Sequence, residues 1–417
     1  MVKVKTLDCG VRVAMEKVEH VQSAAIGFHI RAGAIDEVAK YSGISHFVEH
    51  MMFKGTENRS AMEIAEDIDK LGGQINAFTS NEMTCYYVKT LSSNLYKSAD
   101  VLIDMLTNSL FDKHEMTRER QVVCEEIKMT NDSPDDAAQD AIMYLVNKGN
   151  PIGNSILGTP TSLRNVSRNV IVDYVANEYT RDSIVVAIAG NFDEDEFCNY
   201  LEGKLSSLKA TKEEKQHIIT PYEPAYKDMV RDIEQAHLFI GKDGCTLNDD
   251  DRYAQMVFSK ILGGSMSSRL FQNVREKKGL AYSVYSANAF NTLAGGFYIY
   301  AGISHENIRN ALEAIKDELV LIGDKGVSEE EVSKAKEQIK SGFIFGLENI
   351  ASKMFSIGKA ILLNGSVKKE EEVLEMIDNI TVDDVNLMAK NFADPTEYCG
   401  VVNSNKKFNI KGALQGW

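Results

Sequence analysis

The chain is poor in the residues that mark secreted, membrane-bound and unfolded proteins. Its six cysteines, Cys9, Cys85, Cys124, Cys198, Cys245 and Cys399, are scattered, with no C-x-x-C pair and no dense framework. That spacing excludes a disulfide scaffold and points to a reducing compartment. Cys124, inside VVCEEI, reads as a small buried hydrophobe. No run approaches the ~18 apolar residues that span a bilayer. The opening MVKVKTLDCGVRVAMEKV lacks the apolar stretch of a signal peptide and reads as two strands around Asp8-Cys9-Gly10. The expectation is a cytoplasmic protein with no membrane partner. Six prolines in 417 residues argue against long disordered linkers. Positive charge is short as well: 46 Lys and Arg stand against 61 Asp and Glu, a formal net charge of −15. That balance disfavours a nucleic-acid surface and suits cationic partners, basic peptides among them.

Histidine is scarce too, at eight residues, yet two of the eight fall in the run HFVEH, from His46 to His50. If the run is helical, positions 46, 49 and 50 share a face, because residues three and four apart are neighbours at 3.6 per turn. Two imidazoles four apart can then reach one Zn²⁺, with the Glu49 carboxylate aimed at the same space. The order is H-x-x-E-H, the reverse of H-E-x-x-H, in which the two His bind metal and the Glu takes a proton from water. Two helix-face histidines with an accidental Glu would give the same letters, but eight histidines in the whole chain make that coincidence rare.

A catalytic site of this kind needs a third protein ligand and an open position. The candidate segment is RERQVVCEEIKM, residues 118–129, an amphipathic helix with Val122, Val123 and Ile127 on one side. Glu119 and Glu126 lie two turns apart and share a face near those valines. Glu125 competes, about 100° round the helix from Glu126. Two carboxylates on a partly apolar stripe are costly to bury unless a cation is present.

The segments GISHFVEHMMFKGT and GGQINAFTSNEMTCYYV, together with Glu126 placed 76 residues beyond His50, resemble the pitrilysin/insulinase family of zinc peptidases. The similarity is closest to its half-length bacterial members, relatives of the mitochondrial processing peptidase. The resemblance implies that His46, His50 and Glu126 hold one Zn²⁺ per chain and that Glu49 is the general base. Glu119 would then orient a ligating His. SSRLFQNVREKKGLAYSVYS carries Arg275 and Tyr282, which match the family's Arg/Tyr pair for holding substrate and stabilising the oxyanion. Asn76 and Ala77, in QINAFT, match residues on an edge strand that can pair with peptide main chain. The activity implied is endopeptidase action on extended peptides. A non-catalytic zinc-containing subunit and a zinc hydrolase acting on a non-peptide amide are the other readings, and Glu49 speaks against the first of these.

The length predicts two or more domains, and the chain reads as two similar halves. MTRERQVVCEEI resembles VSEEEVSKAKEQI, and NVIVDYVANEYTRDSIVVAIAGN resembles NITVDDVNLMAKNFADPTEYCGVVN. Ile127 and Ile339, like Asn191 and Asn403, are 212 residues apart. At that offset His46, Glu49, His50 and Glu126 fall on Phe258, Ile261, Leu262 and Gln338, so the second half keeps the fold without the metal residues. The predicted organisation is a zinc-binding domain at 1–208, a linker at 209–228 and a metal-free domain at 229–417. The predicted class is α+β, each domain a mainly antiparallel sheet with helices packed on one face. The resemblance adds a closed chamber built from four such domains, which implies a homodimer.

Overall fold

A computed structural model of the chain describes residues 2–211 and 215–416. Residues 212–214 of the predicted linker lie outside the described residues. The chain forms two compact units. One comprises Met1–Lys128, Asn154–Gln216 and Ile344–Lys369, the other Met129–Gly153, His217–Phe343 and Glu370–Trp417.

The first unit is built on strands β1 (Lys3–Thr6), β2 (Arg12–Lys17), β3 (Ser23–Ile30), β4 (Gln74–Thr79), β5 (Thr84–Leu91) and β6 (Ile184–Gly190). Their order is β1-β2-β6-β3-β5-β4, antiparallel except for the parallel pair β2/β6. The second unit has β7 (Tyr226–Val230), β8 (Ala236–Gly244), β9 (Ala281–Phe290), β10 (Gly295–Ile303) and β11 (Cys399–Ser404). Their order is β7-β11-β8-β10-β9, again with one parallel pair, β7/β11. Without β1, the first order is the second one repeated strand for strand. Both units are mixed helix and mainly antiparallel sheet, as the α+β reading requires.

Strand alternation divides the first sheet into two chemically different faces. Ile26, Phe28, Ile30, Val186, Ile188 and Val88 join a core with Phe47, Val48, Met51 and Met52 of α1 (Ile44–Met52). Helices α2 (Ala61–Lys70), α3 (Leu95–Asn108) and α4 (Lys113–Asp132) contribute to the same core. The Ser60–Glu63 capping box predicted for α2 forms, with Glu63 N–H donating to Ser60 Oγ and Ser60 N–H to Glu63 Oε2.

The opposite face carries smaller side chains, including Ala14, Ala25, Cys85, Ala187 and Ala189, and the helix Ile350–Asn364 lies on it. Close approach is obligatory there, because a Cβ at Gly358 would stand 2.2 Å from the His29 ring. In the second unit α5 (Pro134–Val146) does the matching job, packing Ala138, Ile142 and Leu145 against Phe239, Tyr298 and Tyr300. Each sheet thus receives one helix from the other half of the sequence. The prediction of helices on one face is extended by this exchange, and no single cut near 209–228 yields the two compact units. Periodicity reveals that a helix has an apolar face, but not which sheet will cover it.

The exchange buries His29 completely, with Nδ1 3.3 Å from Gly27 O. Burial, only partly offset by backbone hydrogen bonding, lowers its pKa to about 4. The unfolded chain, with an ordinary His value near ~6.5, takes the proton first as pH falls. Stability is therefore full above ~6.5 and is lost between there and about 4, by roughly 3–4 kcal/mol at ~1.4 per pH unit. Urea unfolding across that range should show the slope in the wild type and lack it in His29→Leu; parallel profiles would show that His29 does not carry it.

Candidate metal centre

His46, Glu49 and His50 lie on the less buried side of α1, while Ile44, Phe47, Val48, Met51 and Met52 hold its other side in the core. The helix starts at Gly43, whose φ of +87° suits glycine. Glu37 replaces the usual capping side chain: its Oε2 accepts from Gly43 N–H at 2.7 Å and its Oε1 from Ser45 N–H at 2.9 Å. Burial pushes the Glu37 carboxyl up to about 7 against these hydrogen bonds. At the other end, Phe53 N–H and Lys54 N–H close the helix on His50 O and Met51 O.

On this scaffold His46 Nε2 and His50 Nε2 lie 3.3 Å apart. The Glu126 carboxylate, carried by α4, approaches them at 3.8 and 3.4 Å. The three ligand atoms all fall within 4.8 Å of one another, and no other such group of His, Cys, Asp and Glu occurs among the described residues. Two imidazole nitrogens facing each other at that separation need a proton or a cation between them. Two nitrogens and one carboxylate oxygen suit Zn²⁺, whose catalytic sites take three protein ligands. Glu125 points elsewhere: its side chain is 70% exposed and pairs with Lys128 at 2.6 Å.

Glu119, buried two turns before Glu126, accepts from His50 Nδ1–H at 2.8 Å. That bond fixes the His50 tautomer and leaves Nε2 facing the cluster. His46 lacks such support, since its Nδ1 is buried with no hydrogen-bond partner. Burial, reinforced by the nearby His50, lowers His46 to about 4 and keeps it neutral, with a lone pair free for a metal. For His50, burial opposes the charge, but the Glu119 hydrogen bond and the Glu126, Glu119 and Glu49 charges outweigh it and raise the value. Burial alone would raise Glu119, yet the hydrogen bonds from His50 and Lys54 bring it below the ordinary Glu value.

Glu49 stands on the same helix face. Thr79 Oγ1, on β4, donates to its Oε2. Burial raises the Glu49 carboxyl despite that bond and the neighbouring His50. β4 is the last strand of its sheet. There the Ala77 N–H is taken up by Asn76 Oδ1 at 2.8 Å, a local bond that blunts a strand edge.

Arg275 and Tyr282 belong to the second unit. Arg275 sits on the π-helical segment Phe271–Lys277, a rare conformation that nothing local in the sequence marks. Its guanidinium lies 4.6 Å from the Phe271 ring centre and 6.0 Å from that of Tyr282, and Tyr282 is 79% exposed at the start of β9. The positions offset from the metal cluster are filled with core: Phe258, Ile261 and Leu262 are all buried.

Residues 12–160 match the family model described as "Insulinase (Peptidase family M16)", and residues 165–339 match "Peptidase M16 inactive domain". The chain is 40% identical over 394 residues to the uncharacterized zinc protease YmxG of Bacillus subtilis (strain 168), covering 94% of this chain and 95% of that protein. Among solved structures, the peptidase M16 inactive domain from Pseudomonas fluorescens superposes with a TM-score of 0.90 at 17% identity, covering 97% of this chain and 98% of that one. A chain of complex III2 from Candida albicans superposes with a TM-score of 0.85 at 20% identity, covering 99% and 100%. At these identities the superpositions speak for the fold.

Proposed function

This chain belongs to the insulinase family, peptidase family M16, and from that premise we propose that it is a zinc-dependent endopeptidase acting on extended peptides. The observation that carries the reading is the convergence of His46, His50 and Glu126 with Glu49 on the same helix face. His46, His50 and Glu126 would hold one Zn²⁺ per chain, which as a Lewis acid makes water nucleophilic and polarises the scissile carbonyl. Glu49 would take the proton from the attacking water and return it to the leaving amine, with Thr79 occupying one carboxylate oxygen. The β4 edge at Asn76 and Ala77 would pair with peptide main chain once the Asn76 side chain releases the Ala77 N–H, and such pairing reads no sequence. The formal charge of −15 favours basic peptides. A zinc-holding subunit without activity is the second reading, suggested by the likeness to a complex subunit; Glu49 has no use in such a site.

The test is cleavage of an unstructured basic peptide by metal-replete, stripped and zinc-restored protein. Activity should vanish on chelation and return with zinc. Undiminished turnover after stripping, or none in zinc-loaded protein across several peptides, would defeat the reading.

Arg275 and Tyr282 would bind the oxyanion, either in the same chain or from the second copy of a homodimer that closes the chamber. Arg275→Ala and Tyr282→Phe should each lower kcat about 10²–10³-fold, the usual effect of one lost oxyanion donor, while zinc content stays unchanged. Mixing inactive Glu49→Gln and Tyr282→Phe chains should restore part of the activity if the pair acts across the dimer, and none if it acts within one chain. Wild-type kcat in both single variants would remove the pair from catalysis.

A further inference from the structure

Lys54 lies just beyond the last residue of α1, in the turn that closes on His50 and Met51. Its Nζ stands 2.6 Å from Glu119 Oε2, while Glu119 Oε1 takes the His50 Nδ1–H at 2.8 Å. One buried carboxylate thus spans two groups from the same end of α1, an imidazole and an ammonium, each on its own oxygen. We propose that Lys54 is a positioning residue for the metal centre: its ion pair fixes the rotation of Glu119, and Glu119 in turn fixes the ring of His50.

The inference rests on the zinc reading above and concerns how tightly the metal is held. A carboxylate only 5% exposed loses much of its hydration. With a single hydrogen bond it would leave one oxygen unsatisfied, and such a group turns or shifts to find a partner. Charge-assisted bonds on both oxygens remove that freedom. The Lys54 side chain itself is 29% exposed, so replacing it opens no cavity in the core. A purely electrostatic role predicts the opposite sign. A cation beside the centre repels a divalent ion, and removing it would then tighten metal binding. The sign of the change therefore separates positioning from simple charge.

The experiment is equilibrium competition for Zn²⁺ between the full chain and a chromophoric chelator, with no substrate present. Lys54→Met should weaken zinc binding about tenfold, at the low end of the roughly 10–100-fold effects of outer partners. Lys54→Arg should keep most of the affinity, because a guanidinium can also donate to both the site and solvent. In a Glu119→Gln background, Lys54→Met should change nothing further, since its effect passes through that carboxylate. Each variant is compared as metal-free protein matching the wild type in far-UV circular dichroism, with Lys54→Gln replacing Lys54→Met if the latter does not fold. Affinity unchanged or tightened in Lys54→Met, or an equal loss in both backgrounds, would overturn the role. A wild-type chain that binds no zinc would instead overturn the metal reading itself.

Discussion

Metal-replete Glu49→Gln protein should hold zinc as the wild type does and cleave peptide roughly 10²–10⁴-fold more slowly or worse, the usual worth of a positioned base. The amide keeps the shape of the side chain and can still accept from Thr79 Oγ1. It cannot accept the proton of water. The helix carrying it is anchored by Phe47, Val48, Met51 and Met52, none of which the substitution touches. Glu49 is also not one of the three ligand atoms brought together. A selective loss of turnover at equal zinc content is therefore the expected signature. Single-turnover cleavage on protein of measured zinc content decides it, and near wild-type rates would take Glu49 out of its role.

What could be read in advance was whatever depends on helical spacing. The face shared by His46, Glu49 and His50 follows from 3.6 residues per turn, and so does the pairing of Glu119 with Glu126 along α4. The strand order was less accessible, although the repeat at 212 residues required the two sheets to match, and they do, β2-β6-β3-β5-β4 against β7-β11-β8-β10-β9. Long-range partners were illegible. Nothing local to Glu37 indicates that it caps α1 six residues on, and nothing local to Lys54 indicates Glu119. The exchanged helices were equally hidden, because Ala138, Ile142 and Leu145 would read the same over either sheet. The small-residue runs SAAIGFHI and IVVAIAG held a usable hint, since alternating alanines mark a face that something packs against closely.

The matched halves differ most at the His46, His50 and Glu126 cluster. In the second unit Phe258 lies 5.3 Å from the rings of both Phe297 and Phe392, so an aromatic cluster fills the position corresponding to His46. Apolar burial there stabilises the unit directly. In the first unit the same stretch presents imidazoles and carboxylates on a half-exposed face, which burying without a cation would make costly. The duplicated fold thus gathers His46, His50 and Glu126 in one copy and fills the matching positions Phe258, Ile261 and Leu262 of the other with core.

Glu126→Ala should lose zinc by more than the roughly 10–100-fold that removal of an outer partner costs, because it deletes a direct ligand. Glu125→Ala, one residue away, should bind zinc normally. The contrast comes from helix geometry: Glu126 Oε2 stands 3.4 Å from His50 Nε2, whereas Glu125 is 70% exposed and bonded to Lys128. Neither change should unfold α4, which is held by Met116, Val123 and Ile127 in the core. Losing the surface pair Glu125–Lys128 is worth only ~0.3–0.5 kcal/mol. Stability of the metal-free variants should accordingly match the wild type, so that a zinc deficit in Glu126→Ala reports on ligation alone. Competition for zinc on both variants, read beside their metal-free urea midpoints, makes the comparison. Tight zinc in Glu126→Ala with loss in Glu125→Ala would mean that the third ligand lies about 100° round the helix from where the structure puts it. Peptidase activity should follow zinc occupancy in both variants, and an active, metal-free Glu126→Ala would separate the chemistry from the cluster altogether.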